Sequence, residues 1–329
     1  MGGNEGVTVF GPVAADLEII EAHLRGLIDN DPAEVSKPMA DLFAAGGKRI
    51  RPALVLLAAK CGRYDLEWLT PAAVAVELTH AATLVHDDVI DRARVRRGRP
   101  TVAALLGDEP AIVVGDFYFA KAYEQAASTA STEVVSILAR TVMNICAGEV
   151  RQQGIRYRYS TNKDEYMQRI EAKTATLLAA CCDIGALMGG LDDTRRAALR
   201  KYGRLLGLAF QIADDVLDYE GSEDEIGKPI GQDVAEGFAT LPLMLAMDEP
   251  QTAQGLQHLL VDGRVLSPDD AKQVVDIVRA SHGPHKALER ARDLASESKR
   301  QLDALGEGVA KEATEAMAAL TNYVVSRKL

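Results

Sequence analysis

Aromatic residues are scarce in this sequence, 5% of the chain with a single tryptophan, and no run of alternating β-branched residues is bounded by turns. Strand-built sandwiches and barrels are disfavoured on both counts. No G-x-G-x-x-G fingerprint lies between a strand and a helix, and no P-loop spacing occurs, which argues against dinucleotide- and ATP-binding parallel sheets. An excess of basic residues is also missing: 37 Lys and Arg stand against 48 Asp and Glu. Such a surface repels polyanions, so nucleic acid is not an expected partner. The four cysteines, Cys61, Cys146, Cys181 and Cys182, lack metal-ligand spacing. The adjacent pair, inside an apolar run, reads as helix core in a reducing, cytoplasmic setting. Neither a signal-peptide pattern nor an uninterrupted apolar run of about 18–20 residues is present, so no transmembrane segment is expected. A transient membrane contact for product release is compatible with that reading.

What is abundant is Ala and Leu at three- and four-residue spacing, as in Leu17, Ile20, Leu24 and Leu27, which is a helical pattern. The expected fold is all-α: a large helical bundle formed as one domain over 1–329. Breakers at Gly46-Gly47, Gly62, Gly98 to Pro100, Gly107 to Pro110, Gly189-Gly190, Gly227 to Gly231 and Gly283-Pro284 separate the helices. Segments near 68–91, 110–130, 132–153 and 196–220 are apolar over more than one face and are expected to be central. The polar stretches around 191–201 and after 285 are expected outside.

Two strings carry chemistry. His86-Asp87-Asp88-Val89-Ile90-Asp91 ends one apolar segment, and Asp214-Asp215-Val216-Leu217-Asp218 ends another. In each, the first and last aspartates are one helical turn apart on a common face. A single D-D-x-x-D reads equally well as a solvated helix end. Two copies, both behind apolar runs, would crowd carboxylates near a core at a cost unless cations neutralise them. Magnesium, which takes a few carboxylates together with substrate phosphates, suits such a pattern. Basic residues accompany the first string: Arg96 and Arg97 follow it, and Gly46-Gly47-Lys48-Arg49-Ile50-Arg51-Pro52 offers glycines and cations suited to phosphate.

Taken with Gly115-Asp116, Gly148-Glu149, Lys173-Thr174, Gln211, G-K-P-I-G-Q-D at 227–233 and the terminal Tyr323 to Arg327, these motifs resemble the trans-isoprenyl diphosphate synthase, or polyprenyl synthetase, family from about Gly46 onward. The resemblance implies an isoprenoid-synthase-like bundle around a deep apolar cavity. It also implies a homodimer and a transferase joining an allylic diphosphate, farnesyl or geranylgeranyl, to successive isopentenyl diphosphates. Asp87, Asp88, Asp91, Asp214, Asp215 and Asp218 would hold Mg2+. Arg96, Lys173 and Lys228 would contact the allylic diphosphate, while Lys48, Arg51, His80 and Arg97 would form the isopentenyl diphosphate pocket. Thr174 and Gln211 would set dipoles near the allylic cation. One departure is Phe238, where relatives often carry lysine, and it removes a cation near the second string.

Before Asp87, the residues Thr83, Ala82, Thr79 and Ala75 are small, and Ala82 stands five positions before Asp87, where short-chain members tend to carry a bulky aromatic. At about 5.4 Å per helical turn, close to one isoprene unit, such a wall implies a long product of roughly six to ten units. Close helix packing explains small residues as well, and Phe117, Leu138 or Met143 could form a floor. The alternatives are a short-chain geranylgeranyl diphosphate synthase and a noncatalytic partner subunit. A terpene cyclase would lack the second D-D-x-x-D, and a purely structural bundle would need neither.

Overall fold

The structure, a computed structural model, describes residues 10–44, 46–221 and 230–326. Helices follow one another as α1 (Ala14–Asp29), α2 (Ala33–Ala44), α3 (Ile50–Lys60), α4 (Leu66–Ile90), α5 (Val102–Leu106), α6 (Asp108–Ser128), α7 (Thr132–Gly154), α8 (Lys163–Ile170), α9 (Thr176–Met188), α10 (Asp193–Glu220), α11 (Gln232–Ala235), α12 (Leu241–Met247), α13 (Pro250–Leu259), α14 (Pro268–Ala280), α15 (Gly283–Asp303) and α16 (Lys311–Val325). The segments expected to be central correspond to α4, α6, α7 and α10, each within three residues of its expected bounds. Of these, α4 and the second half of α10 are buried, whereas α7 is not central among the described residues, leaving Met143 and Val150 exposed. Among the described residues the one sheet is a hairpin pairing β1 (Val95–Arg96) with β2 (Arg99–Pro100). The R-R-G string forms its turn. Arg97 and Gly98 both have positive φ, 50° and 74°, as a two-residue type I′ connection requires.

Local chemistry accounts for several helix starts. Asp65 caps α4 by accepting from the backbone N–H of Glu67 and Trp68, and Asn162 caps α8 through Asp164 and Glu165. Ser267 caps α14, with Pro268 at its first position and Asp269 and Asp270 in its first turn.

Internal contacts divide the chain into two compact units. Unit 1 comprises Met1–Val142, Leu177–Gly203 and Gln301–Leu320, and unit 2 comprises Met143–Thr176, Arg204–Arg300 and Thr321–Leu329. In unit 1, α4 packs along α6 and against α3. It is the core element: from Leu69 to Ala82 nearly every side chain is buried. By length and hydropathy α4 is apolar enough to cross a membrane, contrary to the expectation that no such segment exists, but 72% of its most apolar window is buried inside the protein. Its apolarity serves the core on all faces. In unit 2 one cluster joins Tyr166 and Ile170, the second half of α10 (Leu205 to Tyr219), α12, α14 and α15. Gly207 lets α10 pass close to Ala175, a position where a Cβ would meet that residue's backbone.

Candidate active site

In unit 1, α4 delivers His80, Asp87, Asp88 and Asp91 toward one end, and the hairpin brings Arg96 back to them. Arg96 grips Asp88 through Nε at 2.9 Å and Nη2 at 2.8 Å, both on Oδ1. Asp88 is 1% exposed. Burial raises its pKa, with Asp91 adding to the rise and Arg96 opposing it. Asp87 and Asp91 are more accessible. His86 turns away: its ring lies over Gly115 of α6, where no side chain would fit, and Nε2 is 3.0 Å from the Ile112 carbonyl.

Beside this end is a concentration of positive charge. Arg97 donates to the Gly46 carbonyl. Arg49 stands at the start of α3 with φ of 48°, a left-handed backbone that costs a non-glycine residue energy and marks a position held from outside. Its guanidinium is clamped by Glu21 (Nε–Oε2 2.5 Å, Nη2–Oε1 3.0 Å) and by Glu77 (Nη1–Oε1 2.9 Å). Burial, followed by Arg51, Arg97, Arg96 and Arg49, holds the His80 imidazole well below its ordinary pKa. Arg51 too is lowered by burial, with Glu77 opposing. Lys48 is exposed. Unit 1 thus brings Arg51, Arg96 and Arg97 within electrostatic reach of His80, and carries Lys48 on its surface.

The chain-length candidates divide. Thr79, Ala82 and Ala75 are fully buried, Thr79 donating to the Ala75 carbonyl at 2.8 Å, whereas Thr83 is half-buried. Of the alternative floor residues, Leu138 is buried, Phe117 half-buried and Met143 68% exposed.

Unit 2 builds its motif differently. Asp215, 4% exposed, accepts from Tyr166 Oη at 2.7 Å and Gln211 Nε2 at 2.8 Å. Burial first, then Asp233, raises its pKa to about 7, with Gln211, Tyr166 and Arg169 opposing. Asp218 accepts from the backbone N–H of Gln232 at 3.3 Å and Asp233 at 3.1 Å, organising α11. Asp214 is the more accessible member. A π-helical turn over Glu171–Ala175 carries Lys173 and Thr174. Thr174 Oγ1 donates to Gln211 Oε1 at 2.6 Å, so a chain of hydrogen bonds runs Thr174, Gln211, Asp215, Tyr166. Glu171, in the same turn, is held bidentately by Arg204 at 2.6 Å on both oxygens. Lys228 lies outside the described residues.

Phe238 does not empty its surroundings of positive charge. Its buried ring has the guanidinium carbons of Arg156 and Arg169 each 5.7 Å from its centroid. Those arginines also donate to the carbonyls of Glu236 and Ala239, both at 2.7 Å. Two residues away from the motifs therefore supply cations beside this position. Glu77 and Tyr166 likewise lie outside the motifs, although each leaves a trace in the sequence. Glu77 is the sole carboxylate in the apolar stretch from Trp68 to His86, and Tyr166 precedes Lys173 by two helical turns.

Among the described residues, no three His, Cys, Asp or Glu side chains converge closely enough to hold a metal ion alone. Hard carboxylate oxygens in pairs, one turn apart, nonetheless fit a magnesium ion that completes its shell with water and phosphate oxygens.

A diphosphate-handling helical transferase is the class this fold and these side chains describe. The family model for polyprenyl synthetases matches residues 32–278. Heptaprenyl diphosphate synthase component 2 of Geobacillus stearothermophilus is 42% identical over 241 residues, covering 73% of this chain and 75% of the relative. A short chain isoprenyl diphosphate synthase of Methanothermobacter thermautotrophicus is 35% identical, covering 94% and 96%. The crystal structure of a Caulobacter crescentus polyprenyl synthase complexed with calcium and isoprenyl diphosphate superimposes with a TM-score of 0.90 at 34% identity, over 100% of both chains. This chain belongs to the polyprenyl synthetase family and is a prenyl chain-elongating transferase.

Proposed function

We propose that this enzyme, acting as one catalytic domain, condenses an allylic diphosphate, farnesyl or geranylgeranyl, with successive isopentenyl diphosphates to a long-chain all-trans polyprenyl diphosphate. The observation that carries this reading is the cationic cluster of unit 1, in which Arg51, Arg97, Arg96 and Arg49 all act on His80, and Arg97 acts on Arg51 as well. Like charges gathered in this way call for an anion, and a diphosphate supplies one.

In each unit the accessible aspartates are the proposed direct magnesium ligands, Asp87 and Asp91 in one and Asp214 in the other. Asp88, Asp215 and Asp218, engaged by Arg96, by Tyr166 with Gln211, and by backbone N–H groups, orient their neighbours. Bound magnesium would neutralise charge developing on the leaving diphosphate. Arg96, Lys173 and Lys228 would add to that neutralisation. The allylic C–O bond breaks with both electrons going to diphosphate, the isopentenyl double bond attacks the resulting cation, and the departed diphosphate takes up the proton whose loss restores an alkene. The Thr174 hydroxyl and Gln211 carboxamide, locked by their hydrogen bonds, would present oxygen lone pairs to that cation without reorganising.

The small residues before Asp87 support a long product. The heptaprenyl relative supports it too, whereas the short-chain relative keeps geranylgeranyl diphosphate as the alternative. Exposed Leu105, Leu106, Ile112 and Val113 on α5 and α6 form an apolar patch suited to a second copy of this chain. The name "component 2" of one relative favours a partner subunit as a second occupant. Free cysteines at all four positions support a cytoplasmic location.

Purified protein incubated with magnesium, labelled isopentenyl diphosphate and farnesyl diphosphate is expected to give a ladder ending at one long product. If no product forms with any allylic starter until a second protein is added, the enzyme is one component of a two-subunit synthase.

A further inference from the structure

Among the described residues, the buried side-chain polar atoms without a hydrogen-bond partner are Arg51 Nε and Glu77 Oε2. Both belong to the cationic cluster of unit 1. Glu77 sits on α4 three residues before His80 and is 4% exposed, and its other oxygen, Oε1, accepts from Arg49. An ionised carboxylate at that depth persists only against positive charge. Arg49 supplies part of it but is also bound on its other edge by Glu21. The remaining influence of Glu77 falls on Arg51 and Arg97, whose cationic forms it favours, and on the Cys181 thiol.

The chemistry of elongation gives this anion a purpose. The diphosphate of each isopentenyl unit stays on the product, so it must leave this pocket after every condensation before the next unit can enter. A pocket of cations alone would hold it too well.

We propose that Glu77 is a positioning residue that acts as an internal counter-anion, fixing Arg49 and offsetting the charge of Arg51 and Arg97, so that the pocket's hold on diphosphate is weak enough for release at each cycle. This rests on reading the cluster as the isopentenyl diphosphate pocket. E77Q keeps the side-chain volume and the acceptor for Arg49 but removes the charge. It is expected to lower KM for isopentenyl diphosphate about fivefold, to make inorganic pyrophosphate a similarly tighter competitor, and to lower kcat by a comparable factor as release slows. E77D, which retains the charge, is expected to stay within about twofold of the parent enzyme in KM. E21Q, which touches Arg49 and not Arg51, is expected to leave KM unchanged.

An E77Q enzyme with unchanged or raised KM overturns the proposal. So does an E77D enzyme that matches E77Q, because geometry rather than charge would then be responsible, and so does an equal shift in E21Q. Should E77Q fail to fold, E77D read against E21Q in pyrophosphate competition decides alone, a tighter competitor in E77D overturning the idea. R51Q separates the two levels. If it leaves KM for isopentenyl diphosphate unaltered, the pocket assignment itself fails; if it raises KM while E77Q does not lower it, only the counter-anion fails.

Discussion

Asp88 and Asp215 occupy the same place in two strings spelled alike, yet unit 1 and unit 2 hold them by opposite means. Asp88 is gripped by a full positive charge, Arg96. Asp215 receives neutral donors, Tyr166 and Gln211, with its pKa raised to about 7. The spacing D-D-x-x-D thus specifies which carboxylates share a face of the helix, while the packing around each copy decides which of them are accessible and how the rest are balanced.

The largest effect expected of any change falls on the accessible members. D87A should lower kcat/KM by about a thousandfold, and D214A similarly, with thermal stability within about 1 kcal/mol of the parent. Kinetics beside thermal unfolding reads both quantities. Activity surviving in D87A would leave the accessible carboxylate of unit 1 without the role proposed for it.

Restoring the lysine that relatives often carry at position 238 tests the charge balance of unit 2. F238K would bury an ammonium beside Arg156 and Arg169 in place of an aromatic ring that both cations favour. A loss of about 3 kcal/mol in stability is expected, with no gain in activity. A stable F238K enzyme with higher kcat would mean that Arg156 and Arg169 do not stand in for the missing cation.

Removing one partner from each inner pair compares the two modes directly. D88A strands Arg96, which is 30% exposed and so partly rescued by water, and should cost about 2 kcal/mol. Y166F leaves Asp215 its bond from Gln211 and should cost about 1 kcal/mol, together with a modest fall in kcat as the chain to Thr174 loosens. Chemical denaturation of both variants orders the two values, and a larger loss in Y166F would reverse the comparison.

Much of this arrangement was legible in the residues alone. Apolar periodicity located α4, α6, α7 and α10, although only α4 and the second half of α10 face protein on several sides, and α7 leaves Met143 and Val150 exposed. The paired aspartates announced themselves by duplication. Less visible were contacts between residues remote in sequence. Arg49 meets Glu21 and Glu77 from two other helices, each 28 residues away. Arg169 reaches the Ala239 carbonyl across 70 residues. Nothing in local spacing encodes such meetings, and Phe238 therefore reads as a lost charge in the sequence although two arginines stand over its ring in the structure. The buried Asp88 and Asp215 were indistinguishable from their accessible neighbours for the same reason.

The smallest expected effect concerns protons in the cationic pocket of unit 1. His80 faces Arg51, Arg97, Arg96 and Arg49, with Glu77 as the anion among them, and its pKa when folded lies well below the ordinary 6.5. Between those two values the unfolded chain binds a proton that the folded chain does not. Stability is accordingly complete above about pH 6.5 and declines as pH falls through that value toward the folded pKa, by at most about 1.4 kcal/mol for each pH unit. H80Q carries no such proton, so its urea midpoint should decline less than the parent's between about pH 6.5 and 5.5, by the equivalent of about 1 kcal/mol. Parallel declines would mean that His80 gains its proton in the folded protein as readily as in the unfolded chain, and that the four arginines are better screened than their burial implies.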